Sequence, residues 1–328
     1  MNVLEINELN VSFATEEGVV HALKDVSFTV PERRVVGVVG ESGCGKSTLI
    51  NAILGLLAKN GRIDGGTILF EAGSDLTRLG PAEMRALRGV RISTVFQDPM
   101  GALNPVISVG RQMANVQYRS GRSQAEKMAL AAAMLRQVRI PDATAALGRY
   151  PHEFSGGMKQ RIAIAMALMM EPALLIADEP TTALDATLEV ATIELLRELQ
   201  EKIGCSVLFI SHHLGVIAEL CDDVVVMYAG EVVERGTTRQ VFNDPRHPYT
   251  QRLLECDPAR QAQRVRRLPT IAGEIPDLRC RPAGCIFAPR CFRRFDACAK
   301  APPEQDIGGG HVARCFLAEQ PETAKERT

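Results

Sequence analysis

Apolar and polar positions alternate from Leu4 to Phe13, and a second run from Ala22 to Val30 repeats the pattern. A period of two marks a strand with one buried and one wet face, so these runs predict an antiparallel hairpin lying as a lid over the rest of the chain. Val35-Val36-Gly37-Val38-Val39 is apolar throughout, as a strand covered on both faces must be, and it runs into the glycine-rich stretch Gly40 to Gly45. Helical patterns fill much of Pro105 to Met170, while Ala173 to Ala177, Ser206 to Ile210 and Val224 to Met227 are short apolar runs separated by helix-length segments. This order predicts an α/β domain with a parallel core sheet, an antiparallel β subdomain and an inserted helical subdomain.

From about Asn243 the strand-helix alternation gives way to prolines, arginines and cysteines. The change predicts one domain over residues 1–243 and a small Cys-rich extension over 244–328, a division that suits 328 residues. Between Arg260 and Lys300 ten Lys/Arg stand against Glu274, Asp277 and Asp296, so the extension is basic although the chain carries a net charge of −1. The last dozen residues are polar enough to predict a frayed tail.

A hydrophobic fraction of 46% and a charged fraction of 23% belong to a folded globular protein. The near-zero net charge provides no general attraction to nucleic acid or to an anionic membrane, so membrane association must come through a protein partner. No window approaches the apolar length of a spanning helix, and Glu5 and Glu8 interrupt the N-terminus where a signal peptide is apolar; a cytoplasmic location is expected. Disulfides are disfavoured there, which leaves burial or metal binding for the nine cysteines, five of which fall between residues 280 and 315.

Gly40-Glu41-Ser42-Gly43-Cys44-Gly45-Lys46-Ser47 fits the phosphate-loop pattern and lies between a buried strand and a helix beginning near Lys46. Its glycines let successive N–H groups curl around a β-phosphate and the helix N-terminus adds partial positive charge. Lys46 reaches the β- and γ-phosphates, and the Ser47 hydroxyl binds Mg2+. Leu174 to Ala177 form an apolar strand that ends in Asp178 and Glu179. At a strand's C-terminal end Asp178 would hold the Mg2+ shell and Glu179 would polarise the attacking water.

Ser155-Gly156-Gly157-Met158-Lys159-Gln160-Arg161 precedes that strand, and with it the sequence resembles the ATP-binding cassette (ABC) family, whose signature loop reads L-S-G-G-Q. Phe154 replaces the leucine and Met158 the glutamine, while the serine and both glycines remain. The resemblance covers roughly Leu4 to Phe316. It implies a P-loop (RecA-like) nucleotide-binding domain with Gly40, Ser42, Gly43, Cys44, Gly45, Lys46, Ser47 and Thr48 around ATP. It further implies that Phe13 stacks on adenine and that Gln97 senses Mg2+ and the water. Ala183-Leu184-Asp185 would join two sites, and His212 would contact the γ-phosphate; the adjacent His213 is the other candidate, but His212 directly follows Ile210-Ser211 at a strand end. Family logic implies a head-to-tail dimer in which Ser155, Gly156 and Gly157 of one chain seal the nucleotide of the other, so a lone chain should hydrolyse ATP poorly.

His247-Pro248-Tyr249-Thr250, Ile271 to Pro276 and Gly284 to Cys291 resemble the C-terminal extension of the oligopeptide and dipeptide importer ATPases. Cys285, Cys291, Cys298 and Cys315 match that subgroup's four cysteines, for which the resemblance implies a four-iron four-sulfur cluster. Spacing alone leaves a four-cysteine zinc site open, because thiolates suit both and no C-x-x-C pair is present. The extension has few large apolar residues, so a tetrathiolate staple would account for its folding, with nearby arginines offsetting its charge. Cys280 falls outside the pattern, and Cys44, Cys205, Cys221 and Cys256 read as packing residues.

The expected function is the ATPase of an importer of short peptides at the cytoplasmic face of the inner membrane. Its implied partners are two permease subunits, a second homologous ATPase and an extracytoplasmic peptide-binding protein, with no nucleic acid. Nickel or another small solute is an alternative cargo, since substrate contacts lie on other subunits. A soluble ABC ATPase acting on DNA or ribosomes is a competitor, but the stretch between Lys46 and Asp178 leaves no room for a long coiled coil and there is one cassette. An ATPase with a metal- or redox-sensing tail is another.

Overall fold

The computed structural model describes residues 1–71, 73–96, 98–182, 185–257 and 269–318. Its strands are β1 (Asn2–Thr15), β2 (Gly18–Pro31), β3 (Val35–Val39), β4 (Gly61–Phe70), β5 (Ser74–Asp75), β6 (Ile92–Val95), β7 (Leu174–Asp178), β8 (Ser206–Ile210), β9 (Asp223–Tyr228), β10 (Glu231–Thr237), β11 (Gln305–Gly308) and β12 (His311–Ala313). They form a four-stranded sheet of order β2-β1-β4-β5 and an eight-stranded sheet of order β11-β12-β10-β9-β3-β8-β7-β6.

The alternating runs at the start of the chain are the β1–β2 hairpin, antiparallel from Asn2↔Pro31 to Thr15↔Gly18. The apolar runs are the parallel centre of the larger sheet, where β3 pairs with β8 and β9, and β7 with β6 and β8. These strands are apolar throughout because both faces are covered. Val36, Val38, Leu174, Ile176, Leu208 and Ile210 pack toward the smaller sheet and the helix Lys46–Leu54. Val35, Val39, Leu175, Ala177, Val207 and Phe209 pack toward the helical side. The inserted helices include Val109–Val116, Gln124–Gln137 and Gly156–Leu168, the second started by a capping box of Ser123 and Glu126.

The Cys-rich segment is less self-contained than its sparse apolar content implied. β12 pairs antiparallel with β10, through Glu234↔Ala313 and Arg235↔Val312, and carries β11 on its outer side. Phe287 and Ile286 join the same buried cluster as β3 and β8, with the Phe287 ring against Tyr228 and Tyr249. The basic side chains of the segment bond to acids of the preceding chain: Arg279 to Glu17, Arg281 to Glu231 and Arg290 to Glu41. The segment therefore draws on the core and charges of the larger fold for its order. The expected frayed tail lies, from residue 319 onward, outside the described residues.

Candidate functional site

Parallel strand order brings distant parts of the chain to one edge. Val38 of β3 pairs with Ile210 of β8, and Ile210 with Asp178 of β7, so the segments leaving all three strands emerge side by side. Two main-chain bonds tie them: Glu179 N to Ile210 O at 2.9 Å and Ser211 N to Val38 O at 3.4 Å. Ligands of open α/β sheets bind at this edge, beyond the carboxyl ends of the strands.

The loop after β3 turns on Gly40 (φ 154), Gly43 (φ 81) and Gly45 (φ 105). At Gly40 a β-carbon would lie 2.1 Å from the Met227 carbonyl oxygen, so only glycine fits. Lys46 begins the next helix, and its buried Nζ donates to the carbonyls of Gly40 (2.6 Å) and Glu41 (3.1 Å). Cys44 lies beneath the loop, wholly buried, and burial raises its thiol pKa. Ser42, Gly43 and Ser47 are exposed on the outer side and Thr48 is half-buried. The outward residues and backbone form a surface on which an anion can rest.

Asp178 closes β7. Burial raises its pKa above the usual carboxylate range, neighbouring Glu179 adds to the rise, and Lys46 offsets part of it. A carboxylate so placed favours a cation. Glu179 has φ 45, a left-handed backbone rare for a side-chain-bearing residue. Its Oε2 accepts a hydrogen bond from Thr182 Oγ1 at 3.0 Å and lies 3.1 Å from His212 Nδ1. The two histidines face different acids: His213 Nδ1 lies 3.0 Å from Glu189 Oε1, which also accepts from Thr181 Oγ1.

Ser155 caps the helix Gly156–Leu168, its Oγ accepting from Met158 N at 3.4 Å. Ser155 and Gly156 are exposed, while Gly157 is buried against Leu188. Phe13 belongs to the other sheet, half-buried with its ring over Gly61. Gln97, Ala183 and Leu184 lie outside the described residues. Asp185 caps the helix Ala186–Ile203 by accepting from Leu188 N.

Cys285, Cys291, Cys298 and Cys315 line one pocket together with His247 and Arg293, a small cavity of about 10 Å³, room for about one water molecule. Cys280 is exposed and lies elsewhere, while Cys44, Cys205 and Cys221 are buried. The expectation of a metal centre needs correction on one point. Among the described residues no group of three or more His, Cys, Asp or Glu is placed to hold a metal ion. The four cysteines stand on separate turns around the pocket, and burial raises Cys285 and Cys315 to about 11, which keeps them as neutral thiols.

Comparison with known proteins joins the two halves of the chain. A family model described as ABC transporter matches residues 23–182, and one described as oligopeptide/dipeptide transporter, C-terminal region, matches residues 233–298. The oligopeptide transport ATP-binding protein OppD of Salmonella typhimurium is 45% identical over 315 residues, spanning 96% of this chain and 93% of that one. The chain belongs to the ATP-binding subunits of the oligopeptide/dipeptide ABC transporters. The dipeptide transport ATP-binding protein DppD of Bacillus subtilis is 46% identical over 323 residues, covering 97% of this chain and 95% of its own. Among solved structures, a dimeric ATP-binding cassette in a post-hydrolysis state with ADP and Pi aligns at a TM-score of 0.63. It is 27% identical and covers 72% of this chain and 99% of that one.

This ABC subunit is an ATPase with a cassette fold of mixed sheets. No helix among its described residues is long and apolar enough to cross a membrane. Sequence reasoning missed the contacts around Glu41. Its N–H donates to Tyr249 Oη at 2.9 Å, and its carboxylate is gripped by Arg290. Nothing local marks these partners, since Arg290 lies 249 residues downstream.

Proposed function

We propose that this ATPase couples ATP binding and hydrolysis to the uptake of di- and oligopeptides across the cytoplasmic membrane. Residues 1–243 would serve as the ATPase unit and 244–328 as its extension. The observation that carries the reading is the convergence of Lys46, Asp178, Glu179 and His212 beyond β3, β7 and β8, on a chain whose C-terminal region belongs to the peptide transporters. Backbone N–H groups of Gly43 and Gly45 and the Lys46 ammonium hold the phosphates, with Ser42 and Thr48 at the rim, Cys44 packed beneath the loop and Phe13 stacking on adenine. Glu179 orients the attacking water and takes its proton; His212, bonded to the same carboxylate, bridges it to the γ-phosphate.

Mg2+ fits the donor set, because the exposed Ser47 hydroxyl and a carboxylate strained by burial, Asp178, flank Lys46; the family resemblance adds Gln97, which lies outside the described residues. Held by Ser47 and Asp178, Mg2+ would supply positive charge that offsets charge developing on the phosphates. Catalysis is by positioning and charge stabilisation. The exposed Ser155-Gly156 turn is free to seal a nucleotide on a second, homologous ATPase, and the pair would drive two permease subunits fed by an extracytoplasmic peptide-binding protein. The chain would thus sit peripherally on the inner membrane.

The cysteine pocket is read as the seat of a four-iron four-sulfur cluster. The support for this reading is that all four cysteines of the extension's pattern line the same pocket, the donor set that such a cluster takes. Loading requires the buried thiols to lose their protons, so assembly should be favoured at higher pH. Function is tested with the co-purified complex in liposomes: labelled peptide accumulates with ATP and not with Glu179→Gln. Accumulation of nickel but no peptide would overturn the cargo.

A further inference from the structure

Glu41 places a carboxylate in the second position of the phosphate loop, where a polyanionic ligand is to bind. Left alone, that charge opposes binding. It is not left alone. Arg290, whose side chain is 4% exposed, points its fork at it, with Nη1 to Oε2 at 2.7 Å and Nη2 to Oε1 at 3.1 Å. The remaining donors are also occupied: Nε by Ala272 O at 2.9 Å, Nη2 by Ile271 O at 3.0 Å and Nη1 by Tyr228 Oη at 3.3 Å. A guanidinium with a partner for each of its N–H groups is fixed in place, not merely nearby.

The main chain of Glu41 is held as closely. Its N–H donates to Tyr249 Oη, and its carbonyl accepts from Lys46 Nζ and from Cys44 N at 3.2 Å. One residue thus links the extension to the lysine of the phosphate loop. We infer that Arg290 is a positioning residue of the nucleotide site: it neutralises Glu41 and sets the curl of the phosphate loop, so that the Cys-rich extension governs affinity for a nucleoside triphosphate. The inference rests on the phosphate-loop reading of residues 40–47. Cys291 follows Arg290 directly, so a displacement of the cysteine-lined turn reaches the loop through this side chain.

A merely structural Arg290 would pin the extension without touching nucleotide affinity. The two roles separate in a double-mutant cycle on the intact transporter complex, reading Kd for Mg2+-ATP, KM, kcat and melting temperature. Arg290→Gln strips the carboxylate of its partner and should raise Kd and KM about tenfold, with kcat at saturating ATP within about twofold. Adding Glu41→Gln removes the stranded charge, and the double variant should return to within about threefold of the parent. Arg290→Lys, which keeps charge but loses the fork, should fall between parent and Arg290→Gln. An unchanged Kd in Arg290→Gln overturns the inference, as does a double variant binding as weakly as the single one. Lys46→Ala serves as the control: normal ATP binding by it would remove the phosphate-loop reading itself, whatever Arg290→Gln does.

Discussion

Glu179 and His212 share a contact of 3.1 Å between Oε2 and Nδ1, joining the residue that follows β7 to a residue just beyond β8. The carboxylate also accepts from Thr182 Oγ1, and its backbone is held in a left-handed conformation. Such geometry persists only where the surroundings over-determine it, and here Thr182 and His212 hold the carboxylate at the C-terminal edge of the parallel strands.

Replacing that carboxylate by an amide preserves its shape and removes its basicity. Glu179→Gln should lower steady-state phosphate release by the assembled complex about 100-fold or more while ATP binding stays within a few-fold of the parent. Hydrolysis at the parental rate would dismiss Glu179 as the base.

Gly40 tests the loop's geometry independently of its chemistry. A β-carbon would strike the Met227 carbonyl, which belongs to a central strand and cannot yield. Gly40→Ala should therefore cost about 2–4 kcal/mol of stability and abolish ATP binding. Denaturant melts and calorimetric titration check both, and a stable variant that binds ATP would show that the loop is not held as described.

His247 gives a pH signature. It is buried, its Nδ1 accepts from Tyr249 N at 3.0 Å, and burial lowers its pKa to about 3. The unfolded chain, with an ordinary imidazole, therefore binds the proton that the native protein refuses. Stability from this group is intact above pH 6.5 and falls by about 1.4 kcal/mol per pH unit below it, until the folded value is reached. His247→Gln should remove that slope, so its stability relative to the parent should improve by about 1 kcal/mol between pH 6.5 and 5.5, where the unfolded imidazole is still titrating. A difference that does not vary with pH would mean the ring is not held neutral.

The cysteine pocket makes a compositional forecast. Protein purified without oxygen should be brown and carry about four iron and four sulfide per chain. Cys285→Ser and Cys315→Ser should each lose the colour and melt at lower temperature. Stoichiometric zinc without sulfide would replace the cluster with a different staple.

The sequence by itself determined the parts of this protein whose information is contiguous. Val35 to Val39, Ser206 to Ile210 and the run ending at Asp178 are apolar throughout because each is covered on both faces, and the glycines before Lys46 record φ values that other residues avoid. What depends on distant segments meeting was left to the tertiary structure. It decided which acid each histidine faces, Glu179 for His212 and Glu189 for His213, gathered four cysteines around one pocket, and added the three-residue strand β12 to the main sheet. It also set Arg290 on Glu41 across 249 residues. Three residues carry too little local preference to announce a strand, and an arginine among ten basic residues carries no mark of its partner. Packing against the rest of the fold supplies both, which is why neither was legible in the chain alone.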